Sequence, residues 1–169
     1  MKDAWEQEYV EYVTARLPAL RRLACLLHGD EHRADDLVQD AITKLYVHWA
    51  KARAATHLDG YVRMIVVRAF LDEKRLAWSR VRLFATPPDR PSPVDTGADD
   101  RAVVRGALSR LPPRQQAVLV LRFLCDLPIA EVSEILGCSE GTVKSQTHHG
   151  LAALRQVLGE RPNALTWTE

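Results

Sequence analysis

A chain of 169 residues, 47% hydrophobic and 27% charged, has room for one large or two small domains and the composition of a folded, water-soluble protein. Its formal net charge of +1 conceals a segregation: residues 61–83 hold 6 Lys/Arg against 2 Asp/Glu, and residues 84–100 hold 1 against 4. Cys25, Cys125 and Cys138 form no C-x-x-C pair, which argues against a zinc knuckle or a disulfide framework and for reduced, buried thiols; no apolar run reaches the roughly 18 residues of a membrane span, and MKDAWEQEY lacks a signal-peptide core, so a cytoplasmic protein without membrane insertion is expected.

Between Tyr9 and Leu27, the residues Tyr9, Val13, Leu17, Leu20, Leu23, Ala24 and Leu27 keep a helical beat, and His28-Gly29-Asp30 ends that helix and can cap the next. The second helix is EHRADDLVQDAITKLYVHWAKA. Ala34, Leu37, Val38, Ala41, Leu45, Tyr46 and Trp49 form one wide apolar stripe along it. Asp35 and Asp36 in its first turns complement the helix dipole. Gln39 and Asp40 lie beyond that turn and extend an acidic, hydrogen-bonding surface suited to a basic partner.

A connector over residues 53–59 leads to GYVRMIVVRAFLDEKRLAWSRVRLF, a third helix. Its polar side holds Arg63, Arg68, Lys74, Arg75, Arg80 and Arg82, interleaved with Tyr61, Phe70 and Trp78. Cationic groups attract phosphates and aromatic faces stack on unpaired bases, a combination suited to single-stranded or melting DNA; each aromatic taken singly also fits a core position. Residues 85–100, with 4 prolines, 4 aspartates and little to bury, read as a flexible linker. Beyond it, helices over 101–111 and 114–124 are separated by Pro112-Pro113 and brace the C-terminal segment 128–158.

Residues 128–158 read as two helices and a tight turn. Ile129, Val132, Ile135 and Leu136 mark the buried face of the first, Gly137 suits a left-handed stop, and Ser139 can cap the second. In the second helix Val143, Leu151, Leu154 and Leu158 share a stripe, leaving Glu140, Thr142, Lys144, Ser145, His148 and His149 on the open side and Arg155 within reach of a phosphate. This is the helix-turn-helix pattern, whose second helix enters the DNA major groove; a helical hairpin inside a packed domain shares the same apolar spacing.

The whole resembles a bacterial extracytoplasmic-function (group IV) RNA polymerase sigma factor of actinobacterial type, over about residues 9–158. DDLVQDAITKLYVHW is similar to that family's core-polymerase-binding helix and YVRMIVVRAFLDEKR to its minus-ten helix. LSRLPPRQQAVLVLRFLCDLPIAEVSEILGCSEGTVKSQTHHGLAALR is similar to its C-terminal domain. The resemblance implies an all-α protein of two small helical domains, residues 1–84 and 101–169, joined by the 85–100 linker, the second carrying the helix-turn-helix. It further implies that Asp36, Leu37, Gln39 and Asp40 touch the clamp helices of core RNA polymerase. Arg63, Arg68, Asp72, Lys74, Arg75 and Trp78 would then meet melted minus-ten DNA, and Thr142, Lys144, Ser145, His148, His149 and Arg155 the minus-thirty-five promoter DNA. Arg68 stands where many members carry Asn, and Gln146 and His149 where many carry Arg, so the recognition helix has fewer permanent charges.

The implied partners are core RNA polymerase, promoter DNA and an anti-sigma factor. For the last, rims of the apolar stripes near residues 34–49 and 114–124 offer a docking place, complete burial of both stripes being the alternative. No catalytic residue, cofactor or metal is expected: the sequence holds no ligand cluster, phosphate-cradling glycine loop or nucleophile motif. A helix-turn-helix regulator binding duplex DNA without polymerase is the competing class, and it leaves DDLVQD and the basic-aromatic helix without a use.

Overall fold

The computed structural model describes residues 2–84 and 100–159, all-α among those residues, so the 85–100 linker expectation lies outside them except for Asp100. The first half comprises α1 (Lys2–His28), α2 (Glu31–Val47), α3 (Trp49–Arg53) and α4 (Leu58–Phe84). α1 stops at Gly29, whose φ of 69° is accessible to glycine without a Cβ penalty and whose amide returns to Cys25 O at 2.8 Å. Asp30 then caps α2 by accepting from the amides of His32 (2.8 Å) and Arg33 (3.3 Å), and those two hydrogen bonds hold its carboxyl below the usual range.

The stripe read from the sequence is the buried face of α2: Ala34, Leu37, Val38, Ala41 and Leu45 are all at 3% exposure or less. They pack against α1 on one side and against Val62, Val66, Val67 and Phe70 of α4 on the other. The expected single helix breaks at His48. Trp49 therefore starts α3, where it is buried with the Tyr9 ring edge-on (centroids 5.4 Å apart) and the Tyr12 ring tilted against it (5.5 Å), and Tyr46 is left 41% exposed.

The second half holds α5 (Asp100–Leu108), α6 (Pro113–Leu119), a π-helical turn (Val120–Leu124), α7 (Ile129–Leu136) and α8 (Glu140–Gly159). The helix expected over 101–111 ends at Leu108. The one expected over 114–124 changes register at Val120, where Cys125 N–H reaches back five residues to Val120 O at 2.9 Å. That one-residue slip turns Phe123 and Leu124 outward, to 54% and 44% exposure. All three cysteines are free thiols and half-buried rather than buried.

The halves share one apolar core, α4 packing on α6 and α7. Gln116, 2% exposed, sends its Nε2–H to the carbonyl of Leu27 in the last turn of α1, satisfying a helix-end acceptor from across the junction.

Candidate polymerase and nucleic-acid interfaces

Pro128 precedes α7 in extended conformation (φ −67°, ψ 155°), which suits a helix start because proline has no N–H to leave unpaired. Gly137 stops α7 at φ 64°, ψ 39°, while the Gly137 and Cys138 amides donate to Glu134 O (3.3 Å) and Ser133 O (3.1 Å), using carbonyls the helix end would otherwise orphan. Ser139 Oγ accepts from Thr142 N–H at 3.1 Å and lies 2.9 Å from the Thr142 hydroxyl. Gly137-Cys138-Ser139 is thus the turn of a helix-turn-helix, as the sequence predicts.

Val132, Ile135 and Val143 lock α7 to α8, and Gly150 lets α8 approach α6. A Cβ at Gly150 would sit 3.2 Å from Leu119 Cγ and Cδ1. With that face fixed inward, Lys144, Ser145, His148, His149 and Arg155 are exposed on α8, the two imidazoles 5.8 Å apart, while Thr142 is half-buried and engaged with the turn. A polar, open second helix of this kind can offer hydrogen bonds to base edges and cations to phosphates.

On α4 the structure separates residues that the sequence groups together. Phe70 is fully buried and packs on His28, Tyr61 is half-buried, and Trp78 is the one of the three interleaved aromatics that stands exposed, at 56%. Arg68, Asp72, Arg75 and Trp78 line a cleft of about 590 Å³ whose far wall includes Pro112, Arg114 and Leu136, and Arg75 Nη2 lies 3.4 Å from Asp72 Oδ1. Lys74 is elsewhere. Its ammonium lies 5.7 Å from the Phe70 ring centroid, and burial followed by the nearby Arg33 charge lowers its pKa. Arg63 is half-buried and committed to Glu131 of α7 at 2.7 Å.

On α2, Asp36, Gln39 and Asp40 are exposed, and Asp40 accepts from Lys44 at 2.7 Å. Leu37, which the resemblance places among the polymerase contacts, is at 3% exposure and belongs to the core, as its position on the apolar stripe predicts; it supports the acidic face from behind. Sequence reasoning also missed the contacts made across long separations. Asp59 receives the Tyr12 hydroxyl (2.7 Å) and Arg16 (2.8 Å), and buried His28 meets Glu73 at 3.0 Å. Burial lowers the His28 pKa, outweighing the attraction of Glu73, which acts to raise it.

The sequence profiles of Sigma-70 region 2 and Sigma-70 region 4 match residues 12–80 and 101–154. The chain is 35% identical over 160 residues to the RNA polymerase sigma-E factor of Streptomyces coelicolor, covering 91% of this chain and 88% of that one. It is 33% identical over 148 residues to the ECF RNA polymerase sigma factor SigM of Mycobacterium tuberculosis, covering 83% and 71%. Among solved structures, the sigma factor RpoE of Bartonella quintana, in its co-crystal with the anti-sigma factor NepR, superposes with a TM-score of 0.72 over 92% of this chain and 99% of that one; at 23% identity this likeness concerns the fold. Two sigma-70 regions in order along one chain, with relatives of this identity and coverage, leave one assignment: the chain belongs to the extracytoplasmic-function RNA polymerase sigma factors.

Proposed function

We propose that this sigma factor directs core RNA polymerase to its promoters by dividing three contacts between its two helical halves, residues 1–84 and 101–169. The exposed acids of α2, Asp36 and Asp40 with Gln39 between them, meet a basic surface of core polymerase. α8 enters the major groove at the minus-thirty-five element, with Lys144 and Ser145 at base edges, His148 and His149 beside them, and Thr142 and Arg155 on the backbone. α4 meets the melted minus-ten strand: Arg63, Arg68, Lys74 and Arg75 neutralise phosphates, Asp72 accepts hydrogen bonds from an extruded base, and Trp78 offers a face on which a base stacks. The chain contributes binding energy and no catalytic step, and it works in the cytoplasm, where core polymerase is.

The observation that carries this reading is the combination in one chain of an exposed acidic α2 face with an open, polar α8. A duplex-binding regulator has use for α8 alone, and the Sigma-70 region 2 match over residues 12–80 disfavours it. An anti-sigma partner also belongs to the reading. Tyr46 and Val47 on α2 and Phe123 and Leu124 in the π turn are exposed apolar rims, at 41%, 71%, 54% and 44%, where such a partner's apolar helix face would dock. Transcription in vitro with core enzyme on a promoter library tests the function: initiation from a defined subset, lost when the chain is omitted, is expected, and duplex binding without polymerase recruitment would refute it.

A further inference from the structure

Arg68, Asp72, Arg75 and Trp78 of α4 are all exposed, and they form one wall of the open cleft of about 590 Å³. That volume lies within the roughly 300–1,000 Å³ of small-molecule sites. The other wall comes from residues that the polymerase and DNA contacts leave without a role: Pro112, Pro113, Arg114 and Gln115 around the start of α6, with Gln146 of α8. Charge in the cleft is unevenly matched, because the guanidiniums of Arg68, Arg75 and Arg114 face a single carboxylate, Asp72. Asp72 touches Arg75 alone, at 3.4 Å with both side chains well exposed, which holds the arginine weakly. Arg114 reaches only the Leu136 carbonyl, also at 3.4 Å, and among the described residues neither it nor Arg68 has an acid partner. Gln115 keeps a buried Oε1 that accepts no hydrogen bond from the described residues, an unmatched acceptor of a kind that folds rarely retain. Beside these polar groups lie the Trp78 ring, Leu71, Leu136 and the two prolines, an apolar surface for a flat ligand.

We propose that this cleft binds a free nucleotide, of the class of purine nucleoside polyphosphates. Arg68, Arg75 and Arg114 take the phosphates, for which the planar guanidinium offers paired N–H donors. The base stacks on Trp78 next to the prolines. The Gln115 amide, by turning about its last torsion, offers its unmatched oxygen to an exocyclic amine. Neither part of such a ligand suffices alone: a bare phosphate chain leaves Trp78 and Gln115 unused, and a nucleoside leaves the arginines unmatched. Arg114 is the distinctive residue, since it lies in the second half and outside every DNA contact assigned to α4. The site stands on the cleft alone. Its consequence rests on the reading of α4 as the minus-ten surface, because a nucleotide bound here occupies Arg68, Arg75 and Trp78 and competes with the melted strand for them.

The test titrates the full chain by calorimetry with guanosine triphosphate and adenosine triphosphate, and with inorganic triphosphate and guanosine as the two parts. At least one nucleotide should bind saturably at one site, each part at least roughly tenfold more weakly, and the bound nucleotide should raise the melting temperature as its concentration rises. Arg114→Glu should weaken nucleotide binding roughly tenfold or more, whereas Lys51→Glu, which makes the same charge change at an exposed position of α3 outside the cleft, should leave it unchanged. Trp78→Ala should weaken it about 5- to 150-fold and Trp78→Phe should restore most of the loss. Circular dichroism checks helicity, and if Arg114→Glu loses it, Arg114→Gln decides in its place. No saturable nucleotide binding overturns the proposal, as do inorganic triphosphate binding as tightly as the nucleotides and equal losses from Arg114→Glu and Lys51→Glu. A single-stranded oligonucleotide that binds the free chain more tightly than either nucleotide, and loses as much on Arg114→Glu, would make the cleft part of the DNA path and overturn it too. Arg68→Glu should lose both the nucleotide and, on core polymerase, the minus-ten strand; if it loses the nucleotide and keeps the strand, the cleft stands and the minus-ten reading of Arg68 falls.

Discussion

Phe70 and Trp78 lie on the same helix in the same basic setting, and the structure gives them opposite surroundings. Phe70 is fully buried on the core face of α4 with the His28 ring of α1 5.1 Å away, so Phe70→Ala removes a large side chain from a packed core and should cost about 3–5 kcal/mol. At roughly 2–4 °C per kcal/mol for a chain of this size, the melting temperature should fall by about 6–20 °C. Trp78 is 56% exposed and lies outside the buried core, so Trp78→Ala should move stability by no more than about 0.5 kcal/mol. Its loss should appear in binding. With the chain assembled on core polymerase, affinity for a single-stranded minus-ten oligonucleotide should weaken by about 1–3 kcal/mol, the worth of one base stacked on an aromatic face. Thermal unfolding by circular dichroism and fluorescence anisotropy read the two quantities separately. A Trp78→Ala chain that melts as low as Phe70→Ala, or that binds the strand as wild type does, would refute the division of α4 into a core face and a stacking face.

Asp40→Arg should leave helicity and melting temperature near wild type, since it replaces an exposed i,i+4 pair worth about 0.3–0.5 kcal/mol, yet weaken core-polymerase binding in a pull-down titration. Lys144→Ala should lower cognate-promoter binding by about 1–3 kcal/mol if Lys144 reads a base; a loss that is uniform across sequences and shrinks with salt would make it a phosphate contact. Gly150→Leu should loosen α6 from α8 and abolish specific duplex binding, because its side chain must displace Leu119; a variant with wild-type melting would contradict the close approach. His28 is buried with its pKa lowered from 6.5, so the unfolded chain binds the proton more readily. Its contribution to stability is therefore present above about pH 6.5 and lost as the pH falls through and below that value, and His28→Leu should flatten that part of the profile of melting temperature against pH.

Where the sequence is legible, local geometry decides the outcome. Gly137 at positive φ and Ser139 at an N-cap are demands of backbone conformation that only a few residue types meet, so the helix-turn-helix can be placed to the residue. The α2 stripe is equally plain, because its 3.6-residue period holds without interruption from Ala34 to Leu45. Resemblance assigns Leu37 to the surface, although its position on that same stripe points inward. The helical period of 114–124 makes Leu124 a packing residue, and the π turn rotates it out; a single extra residue in a helical turn leaves no compositional trace. The Arg63–Glu131 pair spans 68 positions and Gln116–Leu27 spans 89, and no periodicity or spacing reports a contact at such separations.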